Sequence, residues 1–347
     1  MFDYKGLKHF PSLFICVFLI FSGCTGQNDK VAFDGGNGTA QSPYMVATAE
    51  QLNEVRHHLD AHFKQTADID LAVYSNWRPI GSYDNRFAGI YDGNGHIIKN
   101  LSLERPRQNY VGLFSAADEG SLMNIVIKNA RVAGADLSGI LLGGNWGAII
   151  NCHVEGEITG YSIGGLAGVS FGSMQGCSAK VTVRGDGMVG GLVGTNDGNL
   201  QNCFAEGEVK GEGNLGGLVS FHNSGMILNC YSRADVIAQK GHAGGLVGFI
   251  LNGPVRNCYA AGMVSAEKDT GGLIRAMHEG YIANSYYDME TSGQSDEGKG
   301  TSRTTAEMKQ KATFEGWDFE EIWDIVENES YPFLRNVGNW KDSSAGK

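Results

Sequence analysis

A short theme close to Gly-Gly-Leu-Val-Gly recurs along this chain of 347 residues at nearly constant spacing. The apolar residue after its key glycine stands at positions 113, 140, 166, 192, 218, 246 and 273, so successive copies lie 26 to 28 residues apart. Self-similarity at this period is typical of a solenoid, in which each repeat buries its apolar face against its neighbours. One elongated repetitive unit is therefore expected over residues 110–288.

The local pattern within one repeat favours strands over helix. Over residues 191–211, three short alternating segments at 191–193, 200–205 and 208–210 are separated by glycine or Asn-Asp-Gly turns. Consecutive parallel strands are joined by right-handed connections in the large majority of cases. The sequence predicts an all-β fold, a right-handed parallel β-helix of about seven coils of 26–28 residues.

Five cysteines occupy one slot of the repeat, 11 or 12 residues after the apolar position: Cys152, Cys177, Cys203, Cys230 and Cys258. A shared slot in successive coils predicts one internal stack of small buried side chains, with Ile125 and Ser285 filling it in the first and last coils. We therefore expect no disulfide framework. No Cys-x-x-Cys pair indicates a zinc site, and neither a metal nor another cofactor is predicted.

An asparagine precedes the cysteine slot in every coil but one, where Gly176 replaces it. Side-chain amides stacked at one turn can hydrogen-bond from coil to coil along the axis. We predict a structural ladder formed by Asn124, Asn151, Asn202, Asn229, Asn257 and Asn284.

A column of alternating charge lies three residues beyond the cysteine slot, at Glu155, Lys180, Glu206 and Arg233. Opposite charges on adjacent strands attract, so a stabilising ladder is the simpler interpretation. The alternative is a polysaccharide lyase or glycoside hydrolase on a β-helix scaffold, since such chemistry needs paired carboxylates. Its candidate residues are Glu157, Glu206, Glu208, Asp235, Lys180 and Arg233.

Both ends of the solenoid need covers. Residues 33–109 are predicted to form an N-terminal cap and first irregular coils, with a helix that starts at the capping box Thr48-Ala49-Glu50-Gln51 and runs to about His62. Residues 289–347 form the C-terminal cap and tail, where a second capping box begins at Thr304. The aromatic residues that follow it are expected to plug the C-terminal end of the core.

The first 24 residues read as a lipoprotein signal peptide, with Lys5 and Lys8 before an apolar stretch too short to span a bilayer. The ending Ser22-Gly23-Cys24 resembles a bacterial lipobox, which implies lipidation of Cys24 and residues 25–32 as a polar tether. A plain secretory signal peptide is the alternative. The predicted location is the cell envelope, as an outer-membrane lipoprotein.

The loop after each Gly-Leu segment carries aromatic and polar residues that we expect along one edge of the rod. This candidate ligand ridge comprises Trp146, Phe171, Asn196, Asp197, Phe221, His222, Leu251, Asn252, His278 and Glu279. Aromatic faces beside polar groups suit a polysaccharide lying along the axis. Variable loop residues on a solvated edge are the alternative.

These repeats resemble those of bacterial proteins carrying the GLUG motif. The resemblance extends to the segment before the array, such as Ala49-Glu50-Gln51-Leu52, and to the closing Gly316-Trp317-Asp318-Phe319. GLUG arrays occur in large surface adhesins and in the non-catalytic part of some immunoglobulin A metallopeptidases, which implies an attachment or scaffold role. The peptidases' zinc motif is absent: His58 and His62 are spaced as metal ligands, but Leu59 stands where a Glu is required.

The leading hypothesis from sequence is a lipid-anchored, non-catalytic binding or adhesion protein of a Gram-negative cell envelope, with a glycan or a surface protein as partner. A purely structural envelope component is a further alternative. The net charge of −11, without a basic run, disfavours a nucleic-acid partner.

Overall fold

The computed structural model describes residues 31–338, so the predicted signal peptide, Cys24 and nearly all of the tether lie outside the described residues. The helices are α1 Ala49–Glu54 and α2 Met289–Ser292, with 3₁₀ turns at Val55–His57, Leu71–Val73, Glu307–Lys309 and Lys311–Thr313. None of these helices is long and apolar enough to cross a membrane.

Strands are the main regular structure of residues 31–338. Before and at the start of the array they are β1 Tyr44–Val46, β2 His62–Gln65, β3 Ile69–Asp70, β4 Ile90–Asp92, β5 Ile97–Lys99, β6 Ser102–Glu104, β7 Phe114–Ala117, β8 Ser121–Met123, β9 Val126–Ala133, β10 Leu142–Asn145, β11 Ala148–Ile150 and β12 His153–Gly160. The central coils contain β13 Ile163–Gly164, β14 Ala167–Ser170, β15 Ser173–Gln175, β16 Ser178–Gly185, β17 Met188–Gly190, β18 Val193–Asn196, β19 Leu200–Gln201, β20 Phe204–Gly211, β21 Asn214–Gly216, β22 Val219–His222, β23 Ile227–Leu228 and β24 Tyr231–Ala238. The remaining strands are β25 His242–Gly244, β26 Val247–Ile250, β27 Pro254–Arg256, β28 Tyr259–Ala260, β29 Val264–Ala266, β30 Thr270–Gly271, β31 Ile274–Met277, β32 Tyr281–Ala283, β33 Tyr286–Asp288, β34 Thr301–Arg303, β35 Trp323–Asp324 and β36 Phe333–Leu334.

Equivalent strands of successive coils pair in parallel and build four sheets along the rod. Sheet 1 runs β1-β2-β4-β8-β11-β15-β19-β23-β27-β32, and sheet 2 runs β7-β10-β14-β18-β22-β26-β31. Sheet 3 runs β3-β5-β9-β12-β16-β20-β24-β28-β33-β34 with β6 and β29 alongside, and sheet 4 runs β13-β17-β21-β25-β30. The predicted all-β parallel solenoid is confirmed.

A central coil has four strands, whereas the sequence predicted three. Gly191 and Leu192 form the bend between β17 and β18 rather than a strand, and β20 continues through eight residues without the predicted break. The repeat-defining apolar column at 113, 140, 166, 192, 218, 246 and 273 points inward and is fully buried. The five cysteines form the expected internal stack of free, buried thiols. Burial raises the pKa of the Cys152 thiol to about 12, which keeps it protonated and unreactive.

The N-terminal cap differs from expectation in the length of its helix. Thr48 and Gln51 form the predicted capping box, but α1 ends at Glu54 and its 3₁₀ extension at His57. His62 already begins β2, which pairs in parallel with β1 on one side and β4 on the other. Sheet pairing therefore ends the helix five residues before its predicted end.

The C-terminal aromatic cap forms on the side of the solenoid, not over its end as predicted. Residues 289–303 already cover the last coil: Asp296 accepts the Gly272 amide at 2.7 Å, and β34 pairs with β33. Residues 304–338, the C-terminal tail, pack on the outer face of sheet 3. They cover four outward-facing side chains, Phe204, Tyr231, Tyr259 and Tyr286. We call these four outward-facing residues the covered column. An external row of aromatic rings needs burial, and the tail supplies it.

Candidate functional site

An aromatic strip lies on the outside of the first four coils, at the edge of sheet 2. It consists of Tyr83, Tyr110, Trp146 and Phe171, with Arg86 among them. Tyr83 and Tyr110 stack with centroids 4.9 Å apart, and Trp146 and Phe171 stack at 5.1 Å with 21° between ring planes. Such offset stacks add about 0.5–1.5 kcal/mol each beyond area burial.

Arg86 organises the centre of this strip. Its guanidinium lies 3.7 Å from the Trp146 ring centroid and 5.0 Å from that of Tyr83, while its Nη1 lies 3.5 Å from Asp118 Oδ2. Because Arg86 comes from the N-terminal side and Phe171 from the C-terminal side, both faces of Trp146 are occupied. Tyr83 and Phe171 are the exposed rings of the strip, at 46% and 47%, whereas Trp146 and Tyr110 are partly buried.

Gly144 allows Trp146 to lie flat on the sheet. A Cβ at this position would come within 2.5 Å of the Trp146 ring and 3.2 Å of the Tyr110 ring. Burial also raises the pKa of the Tyr110 hydroxyl, which keeps the phenol protonated at neutral pH. The strip is thus a built platform of rings with a fixed cation between them.

A concavity of about 430 Å³ opens beside the strip, lined by Tyr83, Asp84, Asn85, Arg86, Ala88 and Asp118. Asn85 is held in a tight turn, since its backbone N–H donates to Ser82 Oγ at 3.0 Å. The concavity combines one aromatic face with carboxylates, an amide and a guanidinium. Rings for stacking beside such donors and acceptors are what a sugar ring requires, since it has apolar C–H faces and a hydroxyl rim.

Five of the predicted ridge residues occupy equivalent positions in successive coils, and the other five fall in three further columns of sheet 2 and its following loop. Trp146, Phe171, Asp197, Leu251 and His278 follow the register two residues beyond the outward positions, and Asn252 and Glu279 come one residue later. Phe221 belongs to the outward column itself, where it stacks on Phe249 at 5.4 Å. Trp146, Phe171, Asp197, Leu251 and His278 therefore form one line along the edge of sheet 2, and Phe221 lies outside that line.

Asn196 and His222 do not belong to an exposed ridge, because both are fully buried. They lie in the inward column of sheet 2, in register with Asn145 and Ser170. Asn196 Nδ2 donates to His222 Nδ1 at 3.0 Å, and burial lowers the pKa of His222 to about 4. Asn196 precedes Asp197 by one residue, and His222 is the equivalent of Asn196 in the next coil. A single step along a strand places a side chain on the opposite face of the sheet.

The asparagine column adopts the geometry that a ladder requires. All six asparagines have left-handed backbone, with φ from 46° to 53°, and Gly176 has φ 66°. Asn229 Nδ2 donates to Asn202 Oδ1 at 3.2 Å, and Asn257 Nδ2 donates to Asn229 Oδ1 at 3.3 Å. Asparagine and glycine are the residues that tolerate this conformation, which explains their restriction to this slot.

The residues proposed for catalysis are engaged with one another or with backbone. Glu206 pairs with both Lys180 and Arg233, Glu208 with Arg184 at 2.8 Å, and Glu157 with Arg131 at 3.1 Å. Asp235 accepts the Met263 amide at 2.9 Å. Solvent-accessible ion pairs of this kind contribute at most about 1 kcal/mol each.

Metal binding has no support in this part of the chain. Within residues 31–338 no group of three or more His, Cys, Asp or Glu side chains is placed to hold a metal ion. His58 instead lies 3.7 Å from Glu54 on the N-terminal cap.

Sequence reasoning missed Tyr83, Tyr110, Arg86 and Phe249. Tyr83 and Arg86 belong to the irregular coils before residue 110, where no repeat register identifies equivalent positions, and Tyr110 is the first residue of the array. Phe249 could have been found from its spacing of 28 residues from Phe221, which equals the local repeat length.

The fold and sites define a class, the parallel β-solenoid repeat proteins with an inward apolar column and an asparagine ladder. Within that class, this chain carries the GLUG motif, which is matched at residues 185–210, as predicted.

Relatives share the repeats over part of their lengths. A provisionally named Gly-rich membrane protein of Evansella cellulosilytica is 38% identical over 167 residues, 44% of this chain and 19% of its own length. Halomucin of Haloquadratum walsbyi is 35% identical over 151 residues, 39% of this chain and 2% of its own length. This chain therefore matches under a fifth of either relative.

A solved structure resembles the whole rod. The crystal structure of a Bacteroides ovatus protein, provisionally named an immunoglobulin A1 protease, has a TM-score of 0.65 over 89% of this chain and 96% of its own. Its sequence identity is 23%, so the similarity concerns the fold.

Proposed function

We propose that this protein is a non-catalytic binding protein of the cell envelope that presents the side of its solenoid to a glycan. The aromatic strip carries the proposal. Tyr83, a half-exposed ring, lines a concavity that holds carboxylates, an amide and Arg86, and the half-exposed Phe171 continues the strip by stacking on Trp146. Stacking on aromatic rings together with a few fixed polar groups is how proteins hold ligands on open surfaces.

Anchoring at the membrane is the second part of the proposal. Lipidation of Cys24, followed by the tether 25–32, would hold the rod at the surface of an outer membrane in a Gram-negative envelope. The names of the two relatives, a membrane protein and halomucin, agree with an envelope location. Stable attachment requires more than one acyl chain or a second contact.

Native affinity electrophoresis of the chain from Thr25 onward, in gels cast with single polysaccharides, tests the binding role. We expect retardation in at least one glycan, and a shift reduced at least several-fold for Phe171→Ala and Tyr83→Ala. Tyr281→Ala is the matched control, since Tyr281 is 49% exposed and lies outside the strip. Equal retardation of all three variants would remove the strip from consideration, and a protein partner would then replace the glycan.

The same gels examine the enzymatic alternative. A cleared zone around the band would indicate cleavage and would direct attention to Glu157, Glu206, Glu208 and Asp235. No observation on these residues favours that outcome, because their side chains already engage neighbouring groups.

The anchor has its own test, which needs the full chain in its native host. We expect the protein to partition into detergent and to incorporate labelled fatty acid, and Cys24→Ser to abolish both. Incorporation that persists in Cys24→Ser would contradict the proposed lipidation site.

A further inference from the structure

The line along the edge of sheet 2 places a carboxylate directly after the last ring of the aromatic strip. Ser170 pairs with Asn196 in the adjacent strand. The residues that follow them, Phe171 and Asp197, therefore occupy equivalent positions in successive coils. The backbone N–H of Asp197 donates to the Ser170 carbonyl at 2.7 Å, which holds the two positions side by side. Strands of neighbouring coils are about 4.8 Å apart, so Asp197 is the next side chain along the rod.

One face of the Phe171 ring is turned toward the coil of Asp197. Its opposite face stacks on Trp146, which belongs to the preceding coil. Phe171 is nevertheless 47% exposed, because its side chain is longer than that of Asp197 and extends past it into solvent. Gly172 and Gly198 follow these two residues, so the next position of either coil has no side chain to cover the ring. We call this surface the open face of Phe171.

The Asp197 carboxylate is held in place beside this open face. Asn223, the equivalent residue of the following coil, donates from Nδ2 to Asp197 Oδ1, and Ser224 Oγ donates to the Asp197 carbonyl at 2.9 Å. A carboxylate has about four acceptor sites, so it can also accept a hydroxyl proton from a ligand. A sugar ring has apolar C–H groups on its faces and hydroxyl groups around its rim. The ring of Phe171 and the carboxylate of Asp197 match these two parts.

The charges around the strip are mainly negative. Asp84 and Asp118 line the concavity at one end of the strip, and Asp197 lies at the other end. Arg86 is the one cation among the strip, its concavity and Asp197, and its Nη1 already lies 3.5 Å from Asp118 Oδ2. A carboxylate or sulfate group on the ligand would therefore meet like charge without a free counter-charge. A glycan without acidic groups fits this surface.

We propose that the glycan bound at the aromatic strip has no acidic groups, and that one of its sugar rings lies on the open face of Phe171 with a hydroxyl donating to the Asp197 carboxylate. This inference rests on the proposed function, because the strip is the binding surface in both. It adds the chemical class of the glycan and assigns Asp197 as a residue that contacts it. The glycan lies along the rod, since Phe171 and Asp197 follow one another in that direction.

Affinity gels with two sets of polysaccharides test the class of glycan. The neutral set contains glucomannan, xyloglucan and mannan, and the acidic set contains polygalacturonate, alginate and chondroitin sulfate. We expect retardation only in the neutral set. Equal or stronger retardation in the acidic set would overturn this inference and leave the binding role in place. No retardation in either set would contradict the binding role itself and this inference with it.

Variants of Asp197 test the contact in gels that contain the retarding glycan at a series of concentrations. Asp197→Ala should weaken the affinity about tenfold, for one lost hydrogen bond to a charged group. Asp197→Asn keeps an oxygen for Asn223 and so preserves the loop, yet it should still weaken binding several-fold because the charged acceptor is lost. Glu267→Ala removes the same charge at an exposed position outside the line, and its affinity should equal that of the unmodified protein.

The outcomes separate this inference from the proposed function. Mobility is normalised to a gel without glycan, so the change of protein charge cancels between Asp197→Ala and Glu267→Ala. If both Asp197 variants bind as tightly as the unmodified protein while Phe171→Ala loses retardation, the strip binds the glycan without Asp197 and the contact is wrong. If Asp197→Ala weakens binding but Asp197→Asn does not, Asp197 acts only by holding Asn223, which also overturns the contact.

Discussion

Two rows of aromatic side chains lie on the outside of this solenoid, and they differ in solvent exposure. The covered column on sheet 3, with stacks of 4.7 Å and 5.0 Å between neighbouring rings, is buried beneath residues 304–338. The aromatic strip beside sheet 2 is stacked in the same way, yet Tyr83 and Phe171 remain half-exposed. Aromatic rings that stabilise the fold are buried by another segment of the chain. Rings that stay exposed to solvent are candidates for ligand binding.

Trp323→Ala should produce the largest change, because it removes the centre of the cover. Trp323 is fully buried and lies 4.3 Å from Trp317 and 6.1 Å from Tyr231 between ring centroids. Truncating a buried Trp costs about 3–5 kcal/mol. Chemical denaturation should show this loss, and proteolysis should cut the tail first. Trp146→Ala is the comparison, and an equal loss there would erase the distinction between the two rows.

A buried histidine, His153, lies in the register of the covered column two coils before Phe204, with Ser178 between them. Burial, and secondarily the charge of Lys180, lowers its pKa from 6.5 to about 4. The folded state therefore favours neutral imidazole, and the unfolded chain binds more protons between these values. Stability should fall on the order of 3 kcal/mol as pH drops from about 6.5 to about 4.

Denaturation midpoints across that pH window check this expectation. His153→Gln should flatten part of the dependence, and the remainder should come from His222, whose pKa burial also lowers to about 4. An unchanged slope in His153→Gln would mean that His153 is not held neutral by the covered column.

Tyr259→Phe should have a smaller effect on the same cover. The Tyr259 hydroxyl donates to the Pro332 carbonyl at 2.7 Å and ties the tail to the column. Losing one buried hydrogen bond costs about 1 kcal/mol. Hydrogen exchange in the tail should accelerate, whereas Tyr281→Phe, at an exposed ring, should leave it unchanged. Unaltered exchange in Tyr259→Phe would show that ring packing alone holds the tail.

Most of the architecture could be predicted from the sequence, because residues at equivalent positions of a repeat have the same orientation in every coil. Leu192 and its equivalents must all face inward, and Cys203 must share a slot with Cys230. The outward-facing positions were more difficult to predict, because an error of one residue assigns a side chain to the wrong face of the sheet. This error occurred for Asn196 and His222. Tyr83 and Arg86 escaped detection because irregular coils have no register to read.

The position of the tail was also beyond the sequence argument that we applied. Its capping box was predicted and is formed, since the Thr304 backbone amide donates to Glu307 Oε2 and the Glu307 backbone amide donates to Thr304 Oγ1. Aromatic content indicates that a segment packs, but not on which surface. The surface on which the tail packs could have been identified from the repeats. Each residue after the cysteine slot must face outward, and four of these are aromatic, namely Phe204, Tyr231, Tyr259 and Tyr286.

Phe171→Ala should produce the smallest change in stability and the sharpest contrast with Trp323→Ala. Phe171 is 47% exposed and contacts Trp146 on a face that solvent can cover instead. Its truncation should shift the free energy of unfolding by no more than about 0.5 kcal/mol. Chemical denaturation measures this shift, with Tyr281→Ala as the control. A much larger shift for Phe171→Ala would show that the aromatic strip stabilises the first coils. A small shift together with lost glycan retardation would mean that the bare rings are retained for binding, because folding does not require them.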